Sequence, residues 1–220
     1  MPPSKPFHAD PSDHPALSEG QRALSRRGVL RRFARGSVLI QEGDVGDTLY
    51  IILSGRLRAF SADTLTEREV TFAEYGPGDF VGELGLDGGP RSASVMALVP
   101  ATCAVVTRQT LLAFLAERPE FALELLARVI KVARTTTETV RQLALHNVYG
   151  RVRQLLESMA QPRPDGQRLI PQRLTHKDIA TRCGCTREMV SRVMKELERG
   201  GHVAKEGSGL RLSGTLPARW

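Results

Sequence analysis

The apolar positions of this chain change rhythm twice. From Val38 to about Thr107 short apolar runs are punctuated by glycine. "SVLIQEGDVGDTLYIILSGRLRAF" alternates through Leu49, Ile51, Leu53, Leu57 and Ala59, with Gly43, Gly46 and Gly55 at the turns, and "REVTFAEYGPGDF" and "SASVMALVPATCAVV" repeat the theme. Many short strands at close spacing, with no long helix between them, predict an antiparallel barrel or sandwich and disfavour a parallel sheet. From about Leu111 there is no glycine until Gly150, and the run breaks once, at Pro119. Within it Val129, Ala133, Thr136, Val140, Leu143 and Asn147 recur in alternating steps of four and three, the spacing of a helix that packs on another helix. A short apolar seam with polar flanks suits a symmetric pair of chains; packing on its own domain is the alternative.

After Gly150 the pattern is helical, then turns at "QPRPDGQRL". Next, Thr175 can cap a helix whose apolar side is Ile179, Ala180 and Cys183, with Gly184 ending it. Thr186 can cap a second helix after a three-residue turn. Its core side is Val190, Val193, Met194 and Leu197; its other side carries Glu188, Ser191, Arg192 and Lys195 at the same i, i+3, i+4, i+7 spacing, with Arg187 at the tip. Two helices joined by a tight glycine-containing turn, the second with a basic polar face, form a helix-turn-helix pattern. "HVAKEGSGLRL" then reads as a hairpin, a wing, turning at Gly207 to Gly209.

Charge sharpens this division. Residues 150–220 hold 14 Lys+Arg and 7 Asp+Glu, whereas the first 149 hold 17 of each, so the whole net charge of +7 sits in the last third. A basic segment beside a neutral one points to a polyanion partner for the C-terminal part; a solvated basic surface would account for the charge alone equally well. The 41% hydrophobic content supports a core, and no apolar run approaches the ~20 residues of a membrane span. The start, "MPPSKPFHADPSDHPALSEG", lacks the apolar stretch of a secretory signal and reads as a loose tail. Three cysteines, Cys103, Cys183 and Cys185, argue against a disulfide framework and for a reducing, cytoplasmic compartment. Cys183-x-Cys185 lacks the partner pair a zinc site needs.

One stretch carries more chemistry than a turn requires. "GDFVGELGLDGGPRSASV", Gly78 to Val95, sets Glu83, Arg91 and Ser92 among glycines. Gly82 and Gly85 would let backbone N–H groups approach an anion, and Arg91 could grip a phosphate with two prongs. Glu83 is repelled by phosphate, so it should face hydroxyls such as those of a ribose. No Gly-Lys-Ser/Thr follows, as a P-loop needs, and no helical segment follows, as a dinucleotide fingerprint needs. A glycine-rich barrel corner with Arg91 on the surface fits the same residues, and physics alone leaves the two readings level.

"GELGLDGGPRSAS" resembles the phosphate-binding cassette of cyclic-nucleotide-binding domains, and with "GCTREMVSRVMKELE" it makes the chain resemble the cyclic-AMP receptor protein (Crp/Fnr) family of transcription regulators over roughly residues 20–212. The resemblance implies an α+β chain: a tail over 1–19, an antiparallel β-barrel (jelly-roll) cyclic-nucleotide-binding domain over 20–127, a dimerisation helix over 128–149 and a winged helix-turn-helix DNA-binding domain over 150–220. It implies Glu83 on the ribose 2′-hydroxyl, Arg91 and Ser92 on the cyclic phosphate, and Gly82, Leu84 and Gly85 in the same wall. Thr136 and Thr137 match the adenine-contacting pair, one reaching across the dimer. Arg187, Glu188 and Arg192 match base-contacting residues; Thr175, Thr186, Ser191 and Lys195 complete the expected DNA-facing set. The implied partners are a palindromic double-stranded DNA with half-sites like TGTGA, a second copy of the chain, RNA polymerase, and cyclic AMP as an allosteric ligand rather than a catalytic cofactor. The chain departs from the family where only seven residues separate Glu83 from Arg91 and where Val81 replaces a phenylalanine. Ser92 suits cyclic AMP but could also serve a guanine amino group. The N-terminal cysteine cluster of the family's iron–sulfur branch is absent, and His146 reads as a solvated helix residue.

These residues frame the functional choices. The leading expectation is a cytoplasmic, homodimeric, cyclic-AMP-responsive transcription regulator. The alternatives are a regulator of the same fold with another ligand or none, and a nucleotide-binding regulatory subunit acting on a protein partner; the latter needs no Arg187/Arg192 pair. No nucleophile–base pair, metal set or catalytic carboxylate pair stands out, so no enzyme is expected.

Overall fold

The computed structural model describes residues 14–63, 68–164 and 166–217. By contacts the chain divides into one unit running to Ser61 and from Phe72 to Ala133, and another holding Ala62–Thr71 and Arg134 onward.

The first unit is a jelly-roll of short strands. One antiparallel sheet has the order β1 (Val29–Phe33), β8 (Ala101–Thr107), β3 (Thr48–Ser54), β6 (Phe80–Val81); the other has β2 (Val38–Ile40), β7 (Ser94–Ala97), β4 (Leu57–Asp63), β5 (Arg68–Tyr75). Between them lie Ile40, Ile52, Leu57, Ala59, Val81, Val95, Ala97 and Cys103. The near-continuous apolar run of β3 has a physical cause. Leu49, Ile51 and Leu53 face away from the second sheet, toward Leu24 of helix α1 (Glu19–Ser25), Phe114 of α2 (Arg108–Glu117) and Phe121 of α3 (Phe121–Leu145). β3 is therefore buried on both faces, and the simple alternation read from sequence covers two cores. Burial pushes the Cys103 thiol up to about 12.

Two sequence expectations need correction. Leu17 and Ser18 fall inside the expected tail, yet Leu17 is buried and Ser18 caps α1, accepting from the Gln21 amide at 3.0 Å and donating to Glu124 at 2.6 Å; residues 1–13 lie outside the described residues. Asn147 does not extend the heptad seam. α3 ends at Leu145, and Asn147 caps α4 (Val148–Met159) by accepting from the Gly150 amide at 2.8 Å, a role that short polar side chains fill best. The side chain of Leu143 lies outside the described residues. Val129, Ala133, Thr136 and Val140 all lie on α3 and are exposed.

The second unit packs α4, α5 (His176–Cys183) and α6 (Arg187–Arg199) against a small sheet. Its sheet has four strands, β11 (Val203–Glu206), β12 (Gly209–Leu212), β10 (Arg168–Ile170) and β9 (Gln161–Pro162), two more than the expected hairpin. Ile170 is fully buried there, which recruits the strand after the "QPRPDG" turn into the core.

Candidate functional site

The glycine-rich stretch folds back onto the 43–48 loop. The Arg91 amide donates to Asp44 O at 2.9 Å, the Gly43 amide donates to Arg91 O at 2.9 Å, and Val45 bridges Pro90. This closure carries Arg91 inward: it is 6% exposed, not at a surface corner. Its Nη1 donates to Gly82 O at 2.7 Å, and its Nη2 to Thr48 O at 3.0 Å and Thr48 Oγ1 at 3.1 Å. The glycines make the space. A Cβ at Gly46 or Gly85 would meet the guanidinium at 2.9 or 2.7 Å, and one at Gly82, where φ is +95°, would meet Thr48 O at 2.6 Å. Glu83 opens a single 3₁₀ turn through Gly85. Gly85 is buried, Glu83 half-buried, Leu84 and Ser92 exposed. The buried hydroxyl of the stretch is Ser94, which accepts from the Glu42 amide at 3.0 Å and from Gln41 at 3.2 Å.

The electrostatics of this corner are unusual. Burying a cation is costly unless a counter-charge accompanies it. Among the described residues Arg91 has three neutral acceptors and no carboxylate within ion-pair distance. Burial pushes the Glu83 carboxyl above the usual range; its own backbone N–H, Arg128 and then Arg91 pull it back, and Asp79 adds to the rise. Two opposite charges thus stand in a low-dielectric corner, each short of a full complement. The arrangement suits a small anion at the arginine and a hydroxyl donor at the glutamate.

The reading face is built by two caps. Thr175 and Asp178 close a reciprocal box on α5: the Asp178 amide donates to Thr175 Oγ1 at 3.1 Å and the Thr175 amide to Asp178 Oδ2 at 2.8 Å. The Thr175 hydroxyl itself donates to Asp178 at 2.6 Å, so it is occupied within the cap. Gly184 takes the left-handed conformation, φ +60°, and ends α5. Thr186 then caps α6, accepting from the Met189 amide at 3.3 Å. Val190, Met194 and Leu197 are buried, while Arg187, Glu188, Ser191, Arg192 and Lys195 are all exposed, so the helix presents the expected polar face. Backbone and Thr186 hydrogen bonds, with Arg187, hold the Glu188 carboxyl below its usual range and hence ionised. Cys183 packs in the core, burial raising its thiol to about 12.

Comparison with known proteins matches residues 30–118 to the cyclic nucleotide-binding domain and residues 150–213 to the Crp-like helix-turn-helix domain. The CRP-like cAMP-activated global transcriptional regulator of Mycobacterium tuberculosis is 31% identical over 195 residues, 87% of each chain. The chain belongs to the Crp/Fnr family of transcription regulators. A second Crp/Fnr relative, the cAMP-activated global transcriptional regulator CRP of Escherichia coli, is 31% identical over 193 residues, 84% of this chain and 90% of the relative. Among solved structures, the c-di-GMP-responsive global regulator CLP of Xanthomonas campestris superposes with a TM-score of 0.77 over 89% of this chain and 99% of that one; at 24% identity it speaks to fold alone. The Thermus thermophilus catabolite activator protein is 28% identical, with a TM-score of 0.53 over 94% and 95%. The relatives are regulators of this family, not enzymes.

In this Crp/Fnr regulator Thr136 and Thr137 sit exposed on α3 beyond Ala133, in the second unit, whereas Gly82 to Ser92 belong to the first. Three residues escaped the sequence reading. Thr48 orients Arg91, but it lies 43 positions away and only the fold joins them. Met189 stands 42% exposed on the reading helix beside Glu188; its spacing off the core stripe was legible. Arg128 is 8% exposed on α3, in a helix whose apolar seam drew attention elsewhere.

Proposed function

We propose that this regulator is a cytoplasmic homodimer that binds cyclic AMP and, when loaded, grips palindromic DNA more tightly and engages RNA polymerase. The observation that carries the ligand is the buried Arg91, a cation with neutral partners in a wall of glycines. A cyclic phosphate supplies the missing charge, with Ser92 beside it, while Glu83 accepts from the ribose 2′-hydroxyl and Gly82, Leu84 and Gly85 line the wall. Thr136 and Thr137 meet the adenine. The two curated relatives at 31% identity are cAMP-activated by name, which favours cyclic AMP over other nucleotides. Homodimerisation is supported by α3, where Leu123, Leu126, Val129, Ile130 and Val140 are between 40 and 69% exposed; a second copy of the helix would cover them. The sensor then starts at about Leu17, the dimer helix ends at Leu145 and the reader follows from α4, consistent with the two domain matches. On DNA, Arg187, Glu188 and Arg192 read bases; Thr175, Thr186, Ser191 and Lys195 face the backbone.

One observation favours a second reading within the family. Three donors of Arg91 are already met by Gly82 and Thr48, as they would be in a ligand-independent regulator where the arginine only staples the loop. Calorimetric titration with cyclic AMP, cyclic GMP and cyclic di-GMP separates the two. Saturable binding of cyclic AMP in preference to the others is expected; no heat from any of the three would leave the stapling reading standing.

A further inference from the structure

The reader tucks away nearly all of its large apolar side chains. From α4 to Pro217 they gather around Val152, Leu156, Ile179, Val190, Met194 and Leu197, and among the described residues of that stretch one is left exposed. It is Met189, 42% exposed on α6 and no part of the core cluster. Helix geometry sets it there. Successive residues turn by about 100°, so Met189 stands a quarter-turn from the core-facing Val190, and Arg192, three residues on, is its neighbour along the helix surface. Arg187, Glu188 and Met189 are exposed in a row before Val190, the first buried position. The Thr186 cap holds this turn in place by accepting from the Met189 amide at 3.3 Å.

Single exposed apolar residues are common on protein surfaces. This one stands in the first turn of the second helix of a helix-turn-helix, the turn that meets base edges in the major groove. Its neighbours Arg187, Glu188 and Arg192 are all charged, so a polar side chain would suit the free surface better. Base edges in that groove offer donors, acceptors and one apolar group, the C5-methyl of thymine. A thioether reads none of the polar edges, but its three rotatable bonds let it settle against a methyl. The surrounding cations, Arg187, Arg192 and Lys195, favour a polyanion over an apolar protein surface as the partner on this face.

We propose that Met189 is a specificity residue of the reading helix: it packs on the C5-methyl of a thymine next to the guanine that Arg192 reads, so that each half-site is selected by an apolar contact as well as by arginine forks. This rests on the assignment of base reading to α6 above.

The test uses the full chain with cyclic AMP present and the duplex that this chain selects from a random-sequence pool. Each thymine of one half-site, on either strand, is replaced in turn by deoxyuridine, which removes the methyl and leaves the hydrogen-bonding edge intact. At one thymine beside a guanine the parent is expected to bind about fourfold more weakly, the effect of losing one buried methyl-sized group. Met189→Ala is expected to bind the unmodified duplex more weakly by a similar factor and to be indifferent to deoxyuridine at that position, while its guanine preference and melting temperature stay as in the parent. Three results would overturn the proposal: a selected half-site without a thymine beside a guanine, a parent indifferent to every exchange, or a Met189→Ala variant that keeps the parent's sensitivity. Equal weakening by Met189→Ala on all sequences also overturns it and leaves the residue a backbone or protein contact. A pool that yields no preferred sequence is a different failure, since base reading by α6 then falls and this proposal with it.

Discussion

Arg91 and Arg192 are the same side chain put to opposite use. Arg91 is 6% exposed and held by backbone and hydroxyl oxygens on a floor of glycines; Arg192 stands in solvent on a capped helix, with its buried neighbours Val190 and Met194 fixing the helix behind it. In the sensor the charge proposed to meet the ligand is part of the fold, with Gly46, Gly82 and Gly85 leaving the space around it. In the reader the charges proposed to meet DNA lie outside the core, on a helix packed through Val190, Met194 and Leu197. Substitutions in the first region therefore mix function with stability, and those in the second separate them.

That contrast is testable from the largest effect down. Arg91→Ala should cost about 2–5 kcal/mol of cyclic-AMP binding, because a buried phosphate charge would lose its partner, and Arg91→Lys should fail to restore it, since a single ammonium cannot reproduce a two-pronged grip; calorimetry reads both. Arg192→Ala should cost roughly 1–3 kcal/mol on the cognate site and flatten the preference for guanine, with the melting temperature unchanged. Binding to single-base variants of the site, beside a thermal melt, checks it. Gly82→Ala should destabilise the chain by roughly 1–3 kcal/mol, because its φ of +95° disfavours a side chain and a Cβ would meet Thr48 O at 2.6 Å; denaturant unfolding measures it.

Glu83→Gln sharpens the comparison through pH. Burial raises the Glu83 carboxyl, so the folded chain holds that proton more tightly than the unfolded chain. The ionised group then opposes folding above the usual carboxylate range, and the parent loses stability relative to Glu83→Gln as pH rises from that range toward neutrality. Thermal melts across pH should show the gap widening upward, while cyclic-AMP affinity of the parent falls as pH drops through the raised value and that of the variant stays flat. Smallest is Lys195→Ala: if Lys195 meets phosphate, affinity should weaken alike on all sequences and the salt slope should fall by about one.

The two regions also differed in how far they could be read in advance. The reader was legible nearly residue by residue: caps at Thr175 and Thr186, the stop at Gly184, and core and polar stripes on α6 follow from local chemistry within a few turns of helix. The sensor was legible as strands and as a motif, but not as a site. Arg91 is positioned by Thr48, a partner 43 positions away that only the fold brings to it. Leu17 entered the core for the same reason, packing against strands that follow it by more than thirty residues. The Asn147 error was of another kind. Spacing continued past the end of α3, but a short polar side chain whose oxygen accepts from the backbone N–H three residues on caps the next helix rather than prolonging the last.

Cyclic AMP can control the grip on DNA only if the ligand favours one arrangement of the proposed dimer over another. The direct measurement is the affinity of the full chain for a duplex carrying inverted TGTGA half-sites one helical turn apart, about 34 Å, with and without saturating cyclic AMP. Tighter binding is expected with the nucleotide, and loss of that gain in Arg91→Ala. Equal affinity with and without it would rule out ligand control of DNA binding.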